Sequence, residues 1–226
     1  MTKYAIIVAG GTGTRMGANL PKQFMLLKGK PVLYYSIKVF LEAYDDLQVI
    51  LVVPLEYIGA GQEIVSGYFE KGRISITTGG DTRFQSVKNG LALIDKESII
   101  FVHDAVRCLL SVNLIHRCYE QAVKTGTAIP AIASKDSIRL ITRDGSETFN
   151  RNKVMLLQTP QTFQSNILLP AYQVEYTDEF TDDSTVVEAS GTKISLAEGE
   201  ENNIKITKPI DLIIAEKILY NRVQGS

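Results

Sequence analysis

An excess of positive charge is missing from this chain: 24 lysines and arginines stand against 25 aspartates and glutamates, a formal net charge of −1. A general nucleic-acid binder needs a basic face to neutralise phosphates, so no nucleic-acid partner is expected. Cysteine is scarce as well. Cys108 and Cys118 stand ten residues apart with no second pair, which gives neither a zinc site nor a disulfide framework and suits a reduced, cytoplasmic compartment. No apolar run approaches the ~20 residues that span a bilayer, so no membrane partner is expected. The opening MTKYAIIVAGGTG lacks a signal-peptide pattern and reads as a buried strand running into a glycine loop. Internal repeats and low-complexity tracts are missing too.

What is present suffices for a core. Hydrophobic residues make up 45% and charged residues 22% of 226, which fits one α/β domain over residues 1–226. Lys3 to Ala9 is an apolar run closed by Gly10-Gly11, the pattern of a strand buried on both faces. Apolar periodicity predicts a helix over Pro31 to Ala43, a strand over Leu47 to Val53 and another over Ile74 to Thr78. A helix over Thr82 to Ile94, a strand over Ser98 to His103, a helix over Val112 to Lys124 and a strand over Thr127 to Ile132 follow. This rhythm predicts an α/β, Rossmann-like fold: a mostly parallel sheet with helices on both faces. Toward the end, Lys193 to Leu196 and Ile204 to Thr207 read as a strand pair, before a helix opened by Pro209 and Asp211.

The rhythm breaks once. Ser137 to Asn150 reads as a hairpin turning at Asp144-Gly145, within an arm at about residues 134–155. A hairpin cannot serve as a crossover between parallel strands, so it should project from the sheet. Its apolar side chains then need a cover, and a second copy of the chain is the simplest one, which predicts a homodimer.

The loop Ala9-Gly10-Gly11-Thr12-Gly13-Thr14-Arg15-Met16-Gly17 follows the first strand at its carboxyl end, where open α/β sheets bind ligands. Glycines there let backbone N–H groups approach phosphate oxygens. A dinucleotide fingerprint is excluded because the third glycine comes one residue late, and the spacing of a P-loop is absent as well. The loop instead carries Arg15, and Lys22 follows. A guanidinium and an ammonium beside glycine N–H groups would neutralise a triphosphate and stabilise charge on a departing pyrophosphate.

Further motifs come in order. Gly79-Gly80-Asp81-Thr82-Arg83 leads to Ser86-Val87 and Gly90-Leu91, and Val102-His103-Asp104-Ala105-Val106-Arg107 closes the fourth strand. Arg151 precedes Gln158-Thr159-Pro160-Gln161; Thr181-Asp182-Asp183 and Asn203-Ile204-Lys205-Ile206-Thr207 come later. From about residue 4 to residue 219 this series resembles the 2-C-methyl-D-erythritol 4-phosphate cytidylyltransferases of the non-mevalonate isoprenoid pathway.

The resemblance implies that CTP is coupled to methylerythritol phosphate with release of pyrophosphate. It assigns Ala9, Gly10, Gly11, Gly13, Gly80, Asp81 and Ser86 to the cytidine, and Arg15 and Lys22 to the triphosphate. Asp104 would face Mg²⁺. Arg107, Thr159, Thr181 and Lys205 would surround the acceptor phosphate and the α-phosphate. Ser137 and Arg151 would reach into the partner subunit's acceptor site. Asn202 stands where the family commonly has an acid, which leaves Glu200 and Glu201 as further metal candidates. His103 is expected to be structural, His116 to lie at the surface and Asp183 to cap a short helix. A pentitol-phosphate cytidylyltransferase shares the glycine loop and Pro21-Lys22-Gln23-Phe24. Ser86 and Asp136-Ser137-Ile138-Arg139 favour the erythritol substrate over it. A nucleotide-binding protein without turnover is the other alternative, against which Arg15, Lys22, Asp104 and Lys205 argue together.

Overall fold

The computed structural model describes residues 1–10 and 20–224. Gly11, Gly13 and Arg15 lie outside the described residues. In chain order, β1 (Thr2–Val8) is followed by a short ribbon of β2 (Leu26–Leu27) and β3 (Lys30–Pro31), then α1 (Val32–Ala43) and β4 (Leu47–Val53). Next come α2 (Ile58–Tyr68), β5 (Ile74–Thr78), α3 (Arg83–Leu91), β6 (Ser98–Asp104), α4 (Val112–Thr125) and β7 (Thr127–Ala133). A hairpin of β8 (Ile138–Thr142) and β9 (Gly145–Phe149) precedes β10 (Met155–Leu157) and β11 (Gln161–Gln164). The chain then forms α5 (Ser165–Ala171), α6 (Asp183–Ala189), β12 (Leu196–Glu198) and α7 (Pro209–Gln224).

An eight-stranded sheet in the order β10-β7-β11-β6-β1-β4-β5, with β12 on β7, forms the frame. Its central strands alternate between two interiors. Ala5 and Ile7 of β1, Val49 and Leu51 of β4, and Ile99 and Phe101 of β6 meet α1, α2 and α4 on one face. Ile6, Ile50, Val52, Ile100 and Val102 meet α3, α5 and α6 on the other. A period of two with both faces buried is why these strands read as continuous apolar runs. The helices end where their sequences say: Thr82 accepts the Gln85 N–H ahead of α3, Ser111 accepts the Leu114 N–H ahead of α4, and left-handed Gly126 closes α4.

The expected mostly parallel sheet with helices on both faces is what forms, with one departure in its second half. β11 inserts antiparallel between β6 and β7, and β10 is antiparallel to β7. One helix is added and two other readings are corrected. α2 was not anticipated, because Gly59, Gly61 and Gly67 look like breakers in isolation; packing of Ile64 and Gly61 on the sheet overrides their low propensity. The strand pair after Lys193 is not formed: β12 runs parallel to β7, and residues 204–207 are extended chain bound by one ladder-like contact, Ile206 N–H to the Val106 carbonyl. The hairpin turns at Arg143-Asp144, and Gly145 opens β9 with φ at +140°, a value that favours glycine.

The hairpin stands as its own two-stranded sheet, apart from the main one, and nearly all its residues are exposed, among them Leu140, Ile141 and Phe149. No helix among the described residues is long and apolar enough to cross a membrane.

Candidate active site

Parallel register brings the ends of four strands, β1, β4, β5 and β6, to one edge. Val8 stands opposite Val52 on one side and Asp104 on the other, and Val53 stands opposite Thr78. Ligands bind at this carboxyl edge in open α/β sheets. Here it opens into a cavity of about 390 Å³. Val8, Ala9 and Gly10 line it from β1, Gly80 to Arg83 and Ser86 from the start of α3, and Asp104 and Val106 from the end of β6. Lys22, Gln23 and Lys205 complete the wall. Eight of the residues singled out in the sequence thus share one cavity: Ala9, Gly10, Lys22, Gly80, Asp81, Ser86, Asp104 and Lys205.

One side of the cavity is a tight turn. The Ser86 hydroxyl accepts the Gly80 N–H at 3.1 Å and donates to the Thr82 carbonyl at 3.0 Å. A Cβ on Gly10 would come within 3.3 Å of the same hydroxyl, so backbone and serine meet closely on both sides of the cavity. Gln23 donates to the Ala9 carbonyl at 2.6 Å and holds the end of β1 from below.

The charged side centres on Asp104. Its Oδ1 accepts from Arg83 Nε at 3.1 Å and its Oδ2 from Lys205 Nζ at 2.8 Å. Burial alone would raise its pKa, but the Arg83 and Lys205 cations outweigh it and hold the carboxyl well below the usual range. Behind it, Thr159 accepts the Asp104 backbone N–H at 3.1 Å and lies 2.9 Å from His103 Nδ1, while His103 Nε2 meets the Arg107 carbonyl at 3.2 Å. These partners require Nε2 to carry the proton and Nδ1 to accept from the hydroxyl. Burial pushes His103 down to about 3, with the Arg107 and Arg83 cations adding to it against the pull of Asp104. It is therefore a neutral strut, as expected.

Other residues stand elsewhere. Arg107 donates to the carbonyls of Asn203 and Leu157, tying the Lys205 segment to β10, and does not line the cavity. Thr181 is exposed just before α6. Ser137 and Arg151 sit exposed at the base of the hairpin, where Arg151 donates to the Lys135 carbonyl, and neither lines this cavity. His116 is half-buried rather than superficial: its Nε2 meets the Ala43 carbonyl and its ring lies on Tyr44. Asp183 does not cap α6. Asp182 does, accepting the Thr185 N–H in a reciprocal capping box, and Asp183 turns inward to a bidentate pair with Arg83. Glu200 is engaged by Ser111 and Arg117, and Glu201 by Lys135, so neither reaches the cavity.

Arg83 is the charged cavity residue to which the motifs assigned no role. It stood inside a quoted motif, one position after the helix cap, but its two carboxylate partners lie 21 and 100 residues away and carry no local signal.

No group of three metal-ligating side chains occurs among the described residues. Asp104 offers one carboxylate, each oxygen already met by a cation yet with a lone pair to spare. That donor set fits a magnesium ion that arrives with phosphates as its main ligands, and does not fit a resident ion.

The family model described as 2-C-methyl-D-erythritol 4-phosphate cytidylyltransferase matches residues 3–221. A relative of that name from Phocaeicola vulgatus is 45% identical over 219 residues, covering 97% of this chain and all of the relative. One from Solibacter usitatus is 34% identical, covering 99% of this chain and 98% of its own. Among solved structures, 4-diphosphocytidyl-2C-methyl-D-erythritol synthase from Anaerococcus prevotii superposes with a TM-score of 0.83 at 30% identity, over 97% of this chain and 96% of that one. The Thermus thermophilus 2-C-methyl-D-erythritol 4-phosphate cytidylyltransferase gives 0.75 at 27% identity, over 96% and 98%. With the match spanning nearly every residue that builds the cavity, the chain belongs to the 2-C-methyl-D-erythritol 4-phosphate cytidylyltransferase family.

Proposed function

We propose that this chain transfers the cytidylyl group of CTP to 2-C-methyl-D-erythritol 4-phosphate, giving 4-diphosphocytidyl-2-C-methyl-D-erythritol and pyrophosphate for isoprenoid precursor synthesis. The observation that carries the reading is Asp104 held between Arg83 and Lys205 in a cavity that the Gly80–Ser86 turn also lines. A nucleoside fits the turn, and the cations fit phosphates.

A phosphate oxygen of the acceptor forms a bond to the α-phosphorus as the bond to the pyrophosphate oxygen breaks. The nucleophile is already an anion, so no general base is required. Catalysis then rests on alignment and on cations placed where charge collects. Lys22 and Lys205 supply such cations at the cavity wall. Arg15 is assigned beside them by the family pattern. Asp104 would hold Mg²⁺, whose chemistry would be to neutralise the triphosphate and polarise the reacting phosphorus.

A homodimer through the hairpin is part of the same reading. Support comes from the exposed apolar residues Leu140, Ile141 and Phe149 on a two-stranded sheet that none of the described residues covers. Ser137 and Arg151 at its base would then enter the partner's acceptor site. The whole of 1–226 is read as one nucleotidyltransferase domain, since one sheet serves both interiors. The two free, buried thiols, Cys108 and Cys118, suit a cytoplasmic enzyme.

Pyrophosphate release by purified protein with CTP and Mg²⁺ tests the reading, with methylerythritol phosphate and ribitol 5-phosphate as competing acceptors. Turnover on the first is expected. Turnover on ribitol phosphate alone would overturn the substrate, and no turnover on either would overturn the activity.

A further inference from the structure

Five side chains form one chain of contacts that runs from the interior to the cavity wall, with charge alternating along its last four members. The Tyr172 hydroxyl donates to Asp183 Oδ1 at 2.6 Å, and Asp183 pairs with Arg83 through Nη1 at 3.0 Å and Nη2 at 2.7 Å. Arg83 Nε reaches Asp104, whose far oxygen meets Lys205. Asp183 is 0% exposed. Such a carboxylate needs a cation, and Arg83 is the one that pairs with it. An arginine has five donors in a fixed fork; three go to these two acids, which sets the angle between them.

Only the last two members of the chain were assigned to the reaction, yet both depend on the third. Asp104 can turn about its side-chain bonds unless Oδ1 is held. With Oδ1 on Arg83, Oδ2 faces Lys205 and draws the half-exposed ammonium over the cavity. Asp183 matters because it takes up most of the charge of Arg83. Without it, an unneutralised guanidinium would compete with Lys205 for Asp104. The same arginine also begins α3, directly after the turn that faces the nucleoside, and its buried partner follows Thr181 by two residues. Phe84, stacked on Tyr172 at 4.7 Å, fixes that spacing.

We propose that Arg83, neutralised from behind by Asp183, is a positioning residue that orients Asp104 and through it Lys205 for phosphoryl transfer. This rests on the cytidylyltransferase reading above.

The test compares wild-type protein with Arg83→Lys, the neutral pair Arg83→Gln/Asp183→Asn, Lys205→Met, and the neutral pair combined with Lys205→Met. The neutral pair keeps hydrogen-bonding groups on both sides and avoids stranding a buried charge, so it guards against simple unfolding. Thermal melts, CTP binding by calorimetry and kcat and KM for both substrates are measured on each. The neutral pair is expected to lose roughly 10²-fold in kcat, as for loss of an oriented cation, while CTP affinity changes by about threefold or less. Arg83→Lys should recover part of that kcat, since a lysine can still reach one acid. Adding Lys205→Met to the neutral pair should cost far less than Lys205→Met costs wild type, because Arg83 acts, through Asp104, on Lys205. A neutral pair with kcat within about twofold of wild type and only a lowered melting temperature would make Arg83 a structural brace and overturn the proposal. So would fully multiplicative losses. If wild type itself does not turn over, the functional reading falls first and the positioning role with it.

Discussion

A Cβ on Gly79 would stand 2.8 Å from the hydroxyl of Ser86. That hydroxyl cannot step aside, because it is spanned between the Gly80 N–H and the Thr82 carbonyl. Gly79→Ala must therefore break the turn that the proposed function places against the nucleoside. A rise of about tenfold or more in KM for CTP is expected, with a modest loss of stability of about 1–3 kcal/mol from overpacking. Gly67→Ala is the control: nothing lies within 4 Å of its would-be Cβ on the exposed side of α2. It should leave kinetics unchanged and stabilise the fold by about 0.5–1 kcal/mol. Equal effects of the two substitutions on KM would refute the steric argument.

Asp104→Asn keeps the shape of the side chain but removes the charge on which Arg83 and Lys205 converge. Arg83 retains Asp183, so folding should survive. If the carboxylate helps hold magnesium, kcat should fall roughly 10²–10³-fold and the Mg²⁺ concentration for half-maximal rate should rise. Titrating Mg²⁺ against initial rate at saturating CTP reads both. A variant with lower kcat but an unchanged Mg²⁺ midpoint would confine Asp104 to orienting Lys205.

Period-two alternation made the central strands legible because each residue of β1, β4 and β6 has a fixed face and both faces are buried. The same local logic failed where distant packing decides. Gly59 and Gly61 hid α2, since a glycine's cost in a helix is visible in sequence while the sheet that compensates for it is not. Lys193 to Thr207 alternates like a strand pair, but its first half joins β7 as β12. In its second half Asn203 donates to the Thr159 carbonyl and Asp211 binds the Thr207 and Lys208 N–H groups, so side chains rather than a ladder hold residues 203–208. In the site, glycines and Lys22 announced themselves by spacing. Arg83 and Asp183 did not, because a pair 100 residues apart leaves no periodic trace. Asp182 and Asp183 show the limit well: adjacent and alike in sequence, one caps a helix and the other is buried on an arginine.

Asp211 ties the start of α7 to the segment carrying Lys205. Its Oδ2 accepts the N–H groups of Thr207 and Lys208, each at 2.7 Å, and the Thr207 hydroxyl at 2.9 Å. Burial works to raise its pKa, but these donors favour the anion and hold it below the ordinary value. A carboxyl with a depressed folded pKa contributes stability that is complete above the unfolded pKa of about 3.9 and lost as pH falls through the folded one. Asp211→Asn should therefore be less stable than wild type by about 1 kcal/mol at pH 7. The gap should close as pH drops below about 4. Denaturant unfolding at pH 7, 5 and 3 measures this, and a gap independent of pH would mean the charge is not what matters.

Arg151 and Lys205 provide a test of whether two subunits build one site. Arg151 lies exposed at the hairpin base and away from its own cavity, whereas Lys205 lines that cavity. Arg151→Ala and Lys205→Met should each be nearly inactive alone. In a mixed dimer, the subunit with intact Lys205 would receive an intact Arg151 from its partner, giving one working site. If both residues belonged to the same subunit's site, neither site of the mixed dimer would work. Random exchange makes half the dimers mixed, so activity near a quarter of wild type, about 25%, is expected on mixing under conditions that let subunits exchange. Ile141→Glu, which places a charge on the exposed apolar strand, should give monomers by sedimentation and abolish this recovery. Dimers that persist in Ile141→Glu, or mixtures that stay inactive despite proven exchange, would remove the arm from the active site.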